Sequence, residues 1–207
     1  MLHSTVAMHT PSLMGRVRDA TSALREDREL LSGRVSWLDY RLVLFRLYGF
    51  YAAVERALAA SRALATVVPD AGLRNHKASL LAADLVALGV ERRDIVQLPR
   101  MTFAGALALP EALGWTYVLE SLTVGGKQLA RRLARQLPHE IETASAYLGC
   151  YGDEAAERWR EIGDAIDGFV HAERDGARVI EAARDGFVRL RGWLSPAAQP
   201  RSTRIHA

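Results

Sequence analysis

Few residues in this chain have the type and spacing to do chemistry. There are six histidines, one cysteine and one pair of adjacent glycines, Gly125 and Gly126, inside a periodic apolar stretch. His3, His9 and His206 fall near the chain ends, and His76, His139 and His171 sit in polar surroundings. None has a glutamate three residues before it, so the ExxH pairs of di-iron carboxylate bundles are missing. No HExxH, no paired-cysteine zinc spacing and no P-loop occurs. Cys150 has no basic neighbour in sequence to stabilise a thiolate and reads as a buried, inert thiol. A single cysteine excludes an internal disulfide and fits a reducing compartment.

The glycine pair is the more informative feature. Trp115 to Leu133 reads as one helix, with Val118, Leu122, Leu129 and Leu133 at helical spacing. Each glycine in a helix interior costs about 1 kcal/mol relative to alanine. A helix that carries two needs its backbone approached closely at that point. Ser121 and Leu122 lie four residues earlier and share the face of a continuous helix. The spacing fits close helix packing or a kink.

The elements that must position these residues are all helical. Thr10-Pro11 is a helix start, with threonine as cap and proline at the first position. That helix runs to Leu31 and is stopped by Gly33. Ser36-Trp-Leu-Asp39 resembles a capping box and opens a second helix, from Trp37 to about Leu64. Trp37, Leu38, Leu42, Phe45, Tyr48, Tyr51 and Val54 make it apolar over much of its circumference, so it should be central. A third helix runs from Pro69-Asp70 to Leu88 and ends at Gly89. Arg92 to Thr102 is irregular. Pro110 precedes the glycine-bearing helix, which ends near Leu137-Pro138. Thr143 to Cys150 is short. Asp153 caps a helix to about Val170, and Arg174 to Leu194 forms the last, closed by Pro196.

No convincing alternating strand pattern interrupts this order, so the expected class is all-α. With 207 residues and 49% hydrophobic content, one domain with a proper core is expected over residues 11–195, flanked by disordered tails at 1–10 and 196–207. Charged residues interrupt every apolar run that could cross a bilayer. The N-terminus lacks the basic and apolar regions of a signal peptide, which implies a cytoplasmic protein. The net charge of +3 is carried almost wholly by arginine, interleaved with acids over many helices. That is the pattern of a solvated surface, and neither a nucleic-acid nor a membrane partner is implied.

Tyr117-Val-Leu-Glu120 followed by Gly125-Gly126 resembles the distal-helix signature of bacterial haem oxygenases, roughly YVLEGSxLGG. The resemblance extends from about Val17 to Leu194 through VRDAT, LYGFYAAVE, LAADLVALG and WREIGDAID…VIEAARDGFVRLRGWL, in the expected order. It implies a haem-oxygenase-like fold whose pocket lies between the first helix and a distal helix kinked at its glycines. It also implies haem as substrate and cofactor, ferredoxin or a flavin reductase as electron donor, and biliverdin, carbon monoxide and ferrous iron as products.

The chain departs from that family's pattern at three positions. The family carries its iron-ligating histidine four residues after a threonine, close to LRxATxxxH. Here Val17-Arg18-Asp19-Ala20-Thr21 leads to Arg25, and no histidine occurs between His9 and His76. A guanidinium stays protonated and has no lone pair for a metal. The family's first distal glycine is Ser121 here, and the small polar residue after it is Leu122. The former adds a side chain over the haem face, and the latter removes a partner for water near bound oxygen. Arg18 matches a basic position near the haem propionates, and is equally a surface arginine of an amphipathic helix. Arg25 could hold a carboxylate, stack on a conjugated ring, or pair with a glutamate in a collapsed site. Phe187 matches an aromatic near the haem edge, and is equally ordinary core.

The residues expected at the cofactor site are therefore Arg18, Thr21, Arg25, Ser121, Leu122, Gly125, Gly126 and Phe187, with no metal ligand among them. The expected function is a haem or tetrapyrrole pocket without histidine-ligated haem cleavage, with weak or absent haem binding. A tetrapyrrole or a small hydrophobic acid would be its ligand. An active haem oxygenase with another axial ligand, and a non-catalytic interaction protein, are the alternatives.

Overall fold

The computed structural model describes residues 12–26, 31, 33–103, 105–169 and 173–195. The expected tails, His9 and His171 lie outside these residues. Every regular element among them is helical, so the all-α expectation holds. In chain order the helices are α1 (Leu13–Glu26), α2 (Trp37–Ala59), α3 (Ala71–Arg74), α4 (Lys77–Ala87), α5 (Arg92–Ile95), α6 (Leu109–Thr123), α7 (Gly126–Leu133), α8 (Pro138–Thr143), α9 (Ala155–Gly168) and α10 (Glu173–Leu194). Short 3-10 turns at Arg62–Thr66 and Gly152–Glu154 complete the set.

The central element is α6. From Ala112 to Ser121 every residue is buried. It crosses α10 at small residues on both helices. A Cβ on Gly114 would sit 2.5 Å from the Val179 carbonyl oxygen, and one on Gly186 would sit 2.7 Å from a Val118 methyl. The two backbones therefore approach more closely than side chains would permit. α1 lies against α9 and α10, and α2 packs on α4, α6 and α10.

The capping box forms as expected. The Ser36 hydroxyl accepts from the Asp39 amide, and the Asp39 carboxylate accepts from the Ser36 amide. The N-terminal turn of α2 is not central, however. Trp37, Leu38 and Leu42 are 44%, 57% and 40% exposed. Periodicity gives the direction of the apolar face, not where the neighbouring helices end. Farther along, Tyr48, Tyr51 and Val54 are buried as expected.

Several continuous segments expected from sequence are broken. The third helix is two, α3 and α4, separated at Asn75-His76. Within the expected irregular stretch, Arg92–Ile95 forms one helical turn. Asp153 does not cap α9. It lies in the preceding 3-10 turn, and its carboxylate pairs with Lys127. The glycine-bearing helix is also two helices, and this break shapes the site.

Candidate functional site

The family resemblance points first to α1. Met14 donates its amide to the Asp167 carboxylate of α9 at 2.6 Å, which fixes the start of the helix. Leu13, Val17 and Thr21, four apart, form one buried stripe. Thr21 survives burial because its hydroxyl donates to the Val17 carbonyl at 2.9 Å. The same oxygen lies 3.4 Å from the Tyr117 hydroxyl of α6. Arg25 is the next position of that spacing and belongs to α1; its side chain lies outside the described residues. Arg18 is exposed.

Tyr117 joins three helices. Its ring meets Phe187 of α10 edge to face at 6.2 Å and Trp159 of α9 at 5.1 Å. Phe187 is 1% exposed, so it is core in this structure. Thr21, Tyr117 and Phe187 thus come together from sites far apart in sequence.

One turn along α6, Ser121 is buried and turns its hydroxyl back to the Val118 carbonyl at 2.8 Å. Leu122 is partly buried against the core. α6 then stops. Val124 is extended at φ −64° and ψ 123°, and Gly125 is left-handed at φ 87°. α7 restarts at Gly126. The shared face derived for a continuous helix therefore does not run through the glycines.

The two glycines serve different needs. Gly125 is required by its positive φ, which a Cβ makes unfavourable. A side chain built there would meet nothing within 4 Å. Gly126 is required by packing, because a Cβ there would overlap the Leu148 carbonyl.

The turn that carries Leu148 is itself held. Asp84 accepts from the Ala146 and Tyr147 amides at 2.7 and 2.9 Å. Tyr40 donates to the Ala144 carbonyl at 2.6 Å. Tyr51 donates to the Leu119 carbonyl, its hydroxyl 3.0 Å from that of Tyr147. In the last turn of α7 Arg132 donates to the Leu31 carbonyl at 2.7 Å, and just beyond it Gln136 bonds Gly33 and Val35. The far end of α7 is thus tied to the segment that follows α1.

Sequence reasoning missed a buried ionic cluster behind the break. Glu120 of α6 is 2% exposed and Lys77 of α4 is 1%. Lys77 Nζ donates to Glu120 Oε1 at 2.7 Å, to the Arg74 carbonyl and to the Tyr151 hydroxyl, each of the last two at 2.5 Å. Glu55 of α2 caps α4 by accepting from the Lys77 amide at 2.8 Å. Burial, with a smaller push from Glu120, raises Glu55 to about 7 against the pull of Lys77 and two backbone amides. Burial likewise raises Cys150 to about 11, despite nearby Lys77. The available signal was Glu120 itself, the one charged residue between Trp115 and Gly126. Lys77, one of only two lysines in the chain, was its counterpart.

The arrangement defines an all-helical protein of the haem oxygenase architecture, with a helix broken at its glycines. The family model for heme oxygenase matches residues 19–195, and the chain belongs to that family. A solved heme oxygenase from Neisseria meningitidis, studied in NO- and CO-bound forms, is 21% identical, with a TM-score of 0.71. The alignment covers 95% of this chain and 99% of that one. At that identity the likeness is one of fold. No curated protein matches.

Of the groups a haem would meet, the described residues offer open space at a backbone and a cation, and α1 offers no imidazole. Gly125 leaves open space beside the break, and Arg18 offers an exposed cation on α1. No histidine lies on α1. Among the described residues no cluster of three or more His, Cys, Asp or Glu could hold a metal ion, and no helix is long and apolar enough to cross a membrane.

Proposed function

We propose that this heme oxygenase family member binds a haem-like tetrapyrrole, or a similar planar acid, between α1 and the α6–α7 break, without histidine ligation of iron. The observation that carries the reading is the α1 stripe. Leu13, Val17 and Thr21 face inward, and the next position of that spacing holds Arg25 where the family resemblance expects imidazole. In this reading Arg18 and Arg25 meet the carboxylates, and Gly125 gives the ring a flat approach to backbone. Ser121 and Leu122 keep the distal side crowded and dry. When bound, haem would supply the iron chemistry, and nothing on α1 would offer it an imidazole. The protein would work in the cytoplasm.

Haemin titration followed by absorption spectroscopy tests this. Wild type should show weak binding without an imidazole-type Soret spectrum. Arg25→His should raise affinity at least tenfold, about 1.4 kcal/mol, and give a histidine-ligated spectrum. Arg25→Ala should give no such spectrum. Indistinguishable binding by Arg25→His and Arg25→Ala would remove Arg25 from the ligand position and sink the reading.

A second reading is an active haem oxygenase with another axial ligand. The family match across residues 19–195 favours it. It requires biliverdin and carbon monoxide from haemin when ferredoxin or a flavin reductase supplies electrons. Their formation by wild type would establish it.

A further inference from the structure

Glu120 has one oxygen satisfied and one not. Oε1 accepts from Lys77 at 2.7 Å and from the Tyr151 hydroxyl at 3.0 Å. Oε2 is buried without a hydrogen-bond partner among the described residues. A second cation, Arg74 Nη1, stands 3.5 Å away. Its guanidinium is already directed to the Pro69 carbonyl at 2.9 Å, the Arg158 carbonyl at 3.2 Å and the Glu161 carboxylate. A buried carboxylate oxygen left in that state keeps the penalty of its lost hydration.

Beside it lies a cavity of about 10 Å³, lined among others by Glu120, Arg74, Asn75, Thr116, Leu119 and Ala71. That space suits one water molecule and nothing larger. The walls also carry the donors and acceptors a water needs. Arg74 and Asn75 bear N–H groups. The Thr116 hydroxyl gives its proton to the Ala112 carbonyl at 2.7 Å, which leaves its oxygen free to accept.

We infer that this cavity binds one structural water that donates to Glu120 Oε2 and accepts from Arg74 or Asn75. An ion is disfavoured on charge. Arg74 and Lys77 already balance a cation's place, and the Glu120 oxygen repels an anion. The water completes the shell of a carboxylate that sits one residue before Ser121, on the last turn before the break. The inference does not depend on tetrapyrrole binding.

Two measurements on the full chain test it. A high-resolution crystal structure should show a density peak within hydrogen-bond distance of Glu120 Oε2 and of Arg74 or Asn75. Water-to-methyl NOEs should reach the Leu119 and Leu58 methyls, which border the cavity. These cross-peaks should persist in Thr116→Val, which removes the nearby exchangeable hydroxyl, and vanish in Ala71→Val, which fills the space. A cavity without density where other buried waters are resolved would overturn the inference. So would the absence of these NOEs in wild type, or their loss in Thr116→Val as a relay through the hydroxyl.

Discussion

Two adjacent glycines look equivalent in the sequence and are not. Gly125 is held by its left-handed backbone with open space around it, and Gly126 by contact with the Leu148 carbonyl. Gly125→Ala should therefore lower stability only by the backbone penalty, about 1–2 kcal/mol. Gly126→Ala must push α7 away from the 145–151 turn, or the turn away from α7. Its loss should be the larger, on the order of 3 kcal/mol, as for overpacking of a rigid site. Urea denaturation of the two variants checks the order. If Gly125→Ala were the more destabilising, the packing role assigned to Gly126 would be wrong. Ser121 is a further residue whose environment only the fold reveals. Its hydroxyl is occupied by the Val118 carbonyl, so it offers no free donor to a pocket in this conformation.

Among the elements, α6 depends on charges that an apolar helix does not advertise. Glu120 anchors it to α4 through Lys77, and both side chains are out of water. A buried pair adds little net stability over an apolar replacement, yet removing one member is severe because the other remains charged and unpaired. Lys77→Met should cost about 3–5 kcal/mol. Lys77→Met combined with Glu120→Gln should recover a large part of that loss, because no buried carboxylate is then left without its closest cation. Thermal denaturation of the two single variants and the double variant gives the coupling directly. Strictly additive losses would mean that the pair does not act as a unit. The same cluster explains why the chain breaks between α3 and α4. Lys77 Nζ reaches back to the Arg74 carbonyl, and Glu55 takes the free amides at the start of α4.

For the molecule as a whole, Glu55 sets a dependence on pH. Its ordinary value of 4.5 rises to about 7 in the folded protein, chiefly through burial. The folded state therefore holds this proton more tightly than the unfolded chain does. The contribution to stability is full below about 4.5 and is lost as pH rises towards 7. Its size is on the order of 3 kcal/mol, since each tenfold gain in proton affinity is worth roughly 1.4 kcal/mol. Glu55→Gln retains an acceptor for the Lys77 amide and has no proton to lose. Its stability should therefore be flatter than wild type between pH 4.5 and 7, as read from denaturation midpoints across that range. An unchanged slope would show that Glu55 titrates normally. This falling stability adds to whatever the other carboxylates contribute, so the comparison with the variant isolates it.

The sequence alone determined the helical class, the capping box at Ser36, the order of the main helices and the membership that Tyr117–Gly126 signals. Those features are local or periodic, and short-range geometry enforces them. It also determined that α1 bears arginine at position 25 and no histidine, since that is a matter of identity and not of shape. The tertiary structure decided where the helices break. The close seat of Gly126 at the start of α7 and the split at Asn75-His76 go with contacts to Leu148, Glu55 and Lys77, which lie far from them or across a turn. It decided that Trp37, Leu38 and Leu42 stay exposed although their spacing matches a buried face. And it decided that Glu120, Lys77 and Glu55 form one cluster, because three charged residues from three helices can meet out of water only when the fold brings them together.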